Sequence, residues 1–204
     1  MIKVLTLPPE TRSIRSVPIK FLPISKYPPV SVIIPYKIGE KFNPIWICRN
    51  DEAIIVLGGP TIGHARIAGA KAAKYEWLVF ADADAVYPKD YILQLKDYLA
   101  TTKAKVLAAK RKGGFGDIFF DVHEHGLIVR KSEFLKRTAR YPEGVRIANG
   151  RTDIADLFRD AEKIPVEYYH GFTKGEKKFI VVAATTAAAV VLLTGLMRDW
   201  NHRS

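Results

Sequence analysis

The sequence predicts an α/β fold with a mostly parallel central sheet, on three observations. Apolar, β-branched runs of strand length alternate with stretches of helical spacing, in the order strand, strand, helix, strand, helix, strand. One such run, Trp77 to Ala81, ends on Asp82-Ala83-Asp84 with no polar lead-in. Sheets of this class bind ligands beyond the carboxyl ends of their strands, and those two carboxylates stand there.

The elements follow in chain order. Residues 1–29 hold many prolines and short apolar pairs and read as an extended N-terminal arm with little regular structure, lying on a membrane or packed on the domain. VSVIIPY, Val30 to Tyr36, follows a Pro-Pro pair and reads as a central strand. AIIVLGG, Ala53 to Gly59, is a second strand, closed by Gly-Gly-Pro. GHARIAGAKAAKYE suits an amphipathic helix with Ala65, Ala68 and Ala72 on its apolar side. After the run at Trp77, YPKDYILQLKDYLATT reads as a helix turning Tyr91, Leu95, Tyr98 and Leu99 inward. AKVLAAK is a strand, GLIVRKSEFLKR a strand passing into a basic helix, TDIADLFRDAEK a helix, and IPVEYYH a last strand. One domain over residues 30–173 is expected, followed over 174–204 by a basic linker, an apolar helix and a short tail.

A chain of 204 residues can bury a sizeable core. Its net charge of +11 suits an anionic partner, whether membrane surface, nucleic acid or phosphorylated substrate. No helix-turn-helix spacing, zinc pattern or RNP-like aromatic motif accompanies the charge, so no nucleic-acid partner is expected. The single cysteine, Cys48, excludes an intramolecular disulfide or a cysteine-based zinc site within one chain; beside Trp46 and Ile47 it reads as a core residue. No secretory signal is visible at the start.

FIVVAATTAAAVVLLTGLM, Phe179 to Met197, carries no charge. At about 1.5 Å rise per residue it is long enough to cross a hydrocarbon core of about 30 Å. Lys174, Lys177 and Lys178 precede it, Arg198 and Arg203 follow, and Trp200 stands where an interfacial aromatic belongs. The run predicts a single-pass C-terminal transmembrane helix with residues 1–178 in the cytoplasm. A buried Ala/Val helix of a soluble core is the alternative. Its small residues would also admit a second helix, and so a homo-oligomer.

Asp is a poor strand residue and is rarely buried without a partner. Two carboxylates at i and i+2, where a strand turns into a loop, can converge on one cation, and hard oxygen ligands suit Mg²⁺ or Mn²⁺. The pair could equally be solvated loop carboxylates capping the next helix. His123 and His125, with Glu124 between them, could also bind a metal, or belong to a solvated loop.

SVIIPY, followed by GHARIAGAKAAKYEWLVFADADAVYP, resembles the family-two glycosyltransferases of the GT-A fold, with Ala65-Arg66, Gly69, the apolar run, Asp82, Asp84 and Pro88 in the family's order. DADAVYPKDYI is similar to the polyprenyl-phosphate sugar synthases of that group. The resemblance implies a GT-A-like nucleotide-binding sandwich that holds a nucleotide-diphosphate sugar with Mn²⁺ or Mg²⁺. It implies that Pro35 and Tyr36 line the nucleotide pocket and that Arg66 lies near the diphosphate. Asp82 would contact ribose or metal-bound water, and Asp84 would ligate the metal. A later carboxylate serves inverting members as base; Asp153 matches best and Asp156 competes. His170, after the last strand, falls where some members place a third metal ligand.

Two departures stand out. The family's acidic end to the second strand, which touches the base, is replaced by Leu57-Gly58-Gly59-Pro60, so base recognition is expected to shift to Asp51 or to backbone groups. Lys37 to Glu52 also leaves little room for the usual helix. The resemblance and the apolar C-terminal run together imply a membrane-anchored, metal-dependent glycosyltransferase that moves a sugar to a lipid phosphate such as polyprenyl phosphate, a glycan or a protein. The basic stretch Arg130 to Arg140 suits an anionic lipid headgroup. The alternative is a catalytically degenerate, membrane-tethered binding or assembly module of the same fold.

Overall fold

The computed structural model describes residues 1–14, 16–113, 126–142, 145–146 and 152–171. A seven-stranded sheet runs in the order β1 (Ile2–Leu7), β5 (Glu52–Gly58), β3 (Val30–Tyr36), β6 (Trp77–Phe80), β8 (Leu127–Arg130), β7 (Val106–Lys112), β11 (Glu162–Tyr169). β1, β5, β3 and β6 are mutually parallel, β8 is antiparallel to both its neighbours, and β11 is parallel to β7. Two small sheets complete the strands among the described residues: β2 (Ile19–Leu22) beside β4 (Ile45–Cys48), and β9 (Val145–Arg146) beside β10 (Thr152–Asp153).

The central strands read as unbroken apolar runs because both of their faces are covered. Along β3, Val30, Val32 and Ile34 face one core and Ile33 the other; along β5, Ala53, Ile55 and Leu57 alternate with Ile54 and Val56. The first core is closed by α2 (Tyr91–Thr101) and the β2–β4 pair, the second by α1 (Ile62–Ala72) and α3 (Lys131–Thr138). α1 turns Gly63, Ala65, Ile67, Gly69 and Ala70 inward, so the buried face is rotated from the expected one and Ala68 and Ala72 are only half-buried. Gly69 sets that rotation. A Cβ there would stand 2.5 Å from Ile33 Cγ2 and 3.1 Å from Val56 Cγ2.

Several expectations need correction. The first residues are extended but paired: Ile2–Leu7 forms a parallel edge strand against β5, anchored where the Met1 ammonium donates to Asp51 O at 2.7 Å. As its length led one to expect, the Lys37–Glu52 stretch holds no helix; it contributes β4. TDIADLFRDAEK is no helix either. Thr152–Asp153 pairs with Val145–Arg146, and only Ala155–Phe158 coils, as one 3-10 turn. Its helical appearance came from Ile154 and Phe158, spaced by four and both buried, which a single turn satisfies equally well.

The basic helix is also largely committed to the fold. Arg130 lies over the Trp77 ring, and Lys131 Nζ donates to Ala73 O at 2.6 Å, closing the carboxyl end of α1. Arg137 binds Glu133, Asp160 and Leu157 O. Among the described residues no helix is long and apolar enough to cross a membrane; the apolar run 179–197 and its linker lie outside them.

The turn closing β5 admits glycine only. Gly58 has φ 75°, and a Cβ there would sit 2.3 Å from Leu7 O and 2.6 Å from Glu10 Cβ. Gly58→Ala is expected to destabilise the protein by about 1–3 kcal/mol or more, the range for a strained backbone position, read as a lower denaturant midpoint at unchanged slope.

Candidate active site

β5, β3 and β6 all deliver their carboxyl ends to the same rim, where Gly58, Tyr36 and Asp82 follow one another across the sheet. Pro35 and Tyr36 are half-buried there, opposite Val56 and Leu57. The Tyr36 ring stands 4.9 Å from Phe42, and its hydroxyl donates to Glu40 O at 3.1 Å.

After β6 the chain makes a tight turn, with Ala85 N–H donating to Asp82 O at 3.3 Å. It then reaches across to β11, where Val86 and Tyr169 exchange backbone hydrogen bonds of 2.7 and 2.8 Å. This crossing brings His170 to the aspartates. His170 Nε2 lies 3.2 Å from Asp84 Oδ1 and 4.0 Å from Asp82 Oδ2. One ligand atom from each of Asp82, Asp84 and His170 falls within a group spanning 4.8 Å.

Arg66 is fully buried on α1, and its Nη2 donates to Asp82 Oδ1 at 2.7 Å. The structure therefore shows Arg66 bracing Asp82. One oxygen of Asp82 is held by this guanidinium and the other faces His170. Tyr87, buried, accepts a hydrogen bond from the Asp82 N–H at 2.9 Å and stacks on Tyr168 of β11 at 5.4 Å. The carbonyls of His170 and Gly171 accept from buried Arg111 at 3.4 and 3.0 Å.

The charges are mutually tuned. Burial disfavours the His170 cation, but the Asp84 hydrogen bond and the charges of both aspartates outweigh it and raise its pKa above the ordinary imidazole value. Conversely the His170 hydrogen bond holds Asp84 below the usual carboxylate range, against partial burial and the neighbouring Asp82 charge. Burial pushes the Tyr87 phenol well up, so it stays neutral.

The donor set fits a divalent cation. Two carboxylates and an imidazole converge, and a site that gathers three such groups without a metal leaves their charges to offset one another only in part. Asp156 lies outside this cluster, with Arg159 donating to its carboxylate at 2.8 Å. Of Asp153 the backbone is described, in β10; the expected helical first turn is absent there. His123, Glu124 and His125 lie outside the described residues.

Asp51 does not serve the rim. It stands at the start of β5, at the opposite end of the sheet, where it accepts from Val30 and Cys48 N–H and pairs with buried Lys96 of α2. Sequence reasoning missed Tyr87, Arg111 and Asn43. Only Tyr87 left a signal, an aromatic between the acidic pair and Pro88.

The family model for glycosyl transferase family 2 matches residues 51–160, just over half of the 204-residue chain. Among solved structures, residues 1–349 of S. aureus TarS in complex with UDP-GlcNAc align at 16% identity and TM-score 0.50, covering 72% of this chain and 59% of that one. The same protein with UDP aligns at 16% identity and TM-score 0.45, covering 71% and 60%. At that identity the likeness is one of fold, and the chain spans about three-fifths of the TarS region. No curated protein matches the chain. The strand order, the Asp-Ala-Asp turn at the sheet's rim and the family match agree: the chain belongs to glycosyl transferase family 2 and has the GT-A fold.

Proposed function

We propose that the protein transfers a sugar from a nucleotide-diphosphate donor, with the Asp82, Asp84 and His170 cluster holding a divalent cation against the diphosphate. The observation that supports this most is the convergence of those three side chains at the carboxyl ends of the strands. A bound cation supplies neutralisation of the charge that develops on the departing diphosphate. Asp84 and His170 would hold it, while Asp82, tied to Arg66, orients it from one side. The imidazole tilts the preference from Mg²⁺ towards Mn²⁺, because Mg²⁺ favours all-oxygen surroundings. Pro35 and Tyr36 flank the donor's nucleoside.

The reaction assigned is inverting. Asp153 is its base in preference to Asp156, whose carboxylate is already paired with Arg159. The acceptor is a lipid phosphate, glycan or protein at the cytoplasmic membrane face, with anchoring and self-association through 179–197; this part rests on the sequence alone.

The test is a thermal-shift series with nucleoside diphosphates and their sugars, with and without Mn²⁺. UDP and UDP-GlcNAc come first, because they occupy the TarS structures. A ligand bound only by the native state raises the midpoint, by about 2.7 kcal/mol of stability at a hundred times its Kd. Stabilisation by one donor, only with Mn²⁺, is expected; no response to any donor would overturn the assignment.

One observation favours the second reading, a tethered binding module without catalysis. The end of β5 presents Gly58-Gly59 with no acidic side chain of its own, and Leu7 and Glu10 fill the space beside it. That module would hold its partner regardless of Mn²⁺.

A further inference from the structure

Asn43 sits, half-buried, in the segment between β3 and β4 and makes three hydrogen bonds to one loop. Its backbone N–H donates to Ala83 O at 2.7 Å. Its side-chain amide donates to Asp84 O at 2.8 Å and to Ala85 O at 3.2 Å. These are the carbonyls of the turn that carries both aspartates.

A peptide unit is planar, so a hydrogen bond on its carbonyl oxygen restrains the whole unit. The Ala83 carbonyl belongs to the plane before the Asp84 Cα, and the Asp84 carbonyl to the plane after it. With both restrained, and Ala85 N–H on Asp82 O steadying the second unit as well, the Cα–Cβ direction of Asp84 is confined. Packing does not set it, because the Asp84 side chain is 58% exposed. The Val86–Tyr169 bridge holds the loop beside His170 without constraining those two planes. The short stretch that replaces a helix between β3 and β5 therefore acts as a strap on the acidic turn.

We propose that Asn43 is a positioning residue for the metal cluster: by locking the two peptide planes that flank Asp84, it aims that carboxylate at His170 before a cation arrives. This rests on the metal reading given above. Groups that orient metal ligands typically affect affinity by about 10- to 100-fold.

The test is the Mn²⁺ affinity of the full chain by isothermal titration, without donor or acceptor, for wild type, Asn43→Ala and Asn43→Ser. Metal-free melting is followed in parallel by circular dichroism. Both variants are expected to bind Mn²⁺ about 10- to 100-fold more weakly at a temperature where both are folded. Both changes leave the backbone bond to Ala83 O and remove the amide that reaches Asp84 O and Ala85 O; Asn43→Ser, polar but too short for that reach, serves should the alanine variant not fold. A merely structural role would lower the melting midpoint and leave the affinity below it unchanged. Wild-type affinity in either folded variant overturns the proposal and spares the metal reading; no Mn²⁺ uptake by wild type overturns both.

Discussion

Asp84→Asn is expected to lower the transfer rate by at least about a hundred-fold, since the cation's charge stabilisation is worth several kcal/mol in the transition state. The change keeps the side chain's size and removes the charge that faces His170 across 3.2 Å. Folding should survive. Asp84 is the exposed member of the cluster, and its side chain supports no strand or helix. The change removes the charge of one partner in a half-exposed pair with His170, a loss of about 1 kcal/mol or less. The midpoint of the metal-free variant should stay close to wild type while the stabilisation by donor with Mn²⁺ disappears. A folded variant with wild-type turnover would contradict the role given to Asp84.

Lys96→Met is expected to have the largest effect on stability. The Lys96 ammonium and the Asp51 carboxylate are both fully buried, 2.5 Å apart. Removing one partner leaves an uncompensated charge in the core, at a cost of about 3–5 kcal/mol. In a chain of this size each kcal/mol moves the melting midpoint by about 2–4 °C, so a fall of roughly 10 °C should be seen by calorimetry. Asp51 would still accept from Val30 and Cys48 N–H at 3.1 and 2.8 Å, which softens the loss without cancelling it. Adding Asp51→Asn to Lys96→Met should recover part of the midpoint, because a neutral amide is cheaper to leave buried than a lone carboxylate. Rim chemistry should be unaffected: donor stabilisation measured below the lower midpoint should match wild type. A change in donor affinity would restore Asp51 to nucleoside recognition.

The sequence made the centre of the sheet readable because β3, β5 and β6 bury both faces, and such strands announce themselves as continuous β-branched runs. The acidic turn was readable for the converse reason: two carboxylates directly after Phe80 and Ala81 demand a partner. β1 was not. IKVLTL is an edge strand with alternating exposure, and the prolines after it suggested irregular chain. Its slot beside β5 is decided by a pairing about fifty residues distant, which no local pattern carries.

The same limit explains Asp51 and Asn43. Asp51 looked available because its partner, Lys96, lies on α2 among inward-facing Tyr91, Ile92, Leu95 and Leu99. A lysine at that spacing reads as the solvent side of a helix until the ion pair is seen. Asn43 beside Pro44 reads as a turn, and its bonds to residues 83–85 cross forty positions of sequence. His170 could be named from the resemblance, but the fold alone shows how it arrives. β11 is three strands removed from β6 in the sheet, and among the described residues the 82–87 crossing closes that gap.

The central claim is that one cation sits between Asp84 and His170 and touches a diphosphate. Anomalous scattering from crystals grown with Mn²⁺ and UDP tests it most directly. The expected map shows a manganese peak bonded to Asp84 and His170, with diphosphate oxygens completing its coordination. UDP bound at the rim with no manganese beside those two side chains, or manganese bound only elsewhere, would contradict it.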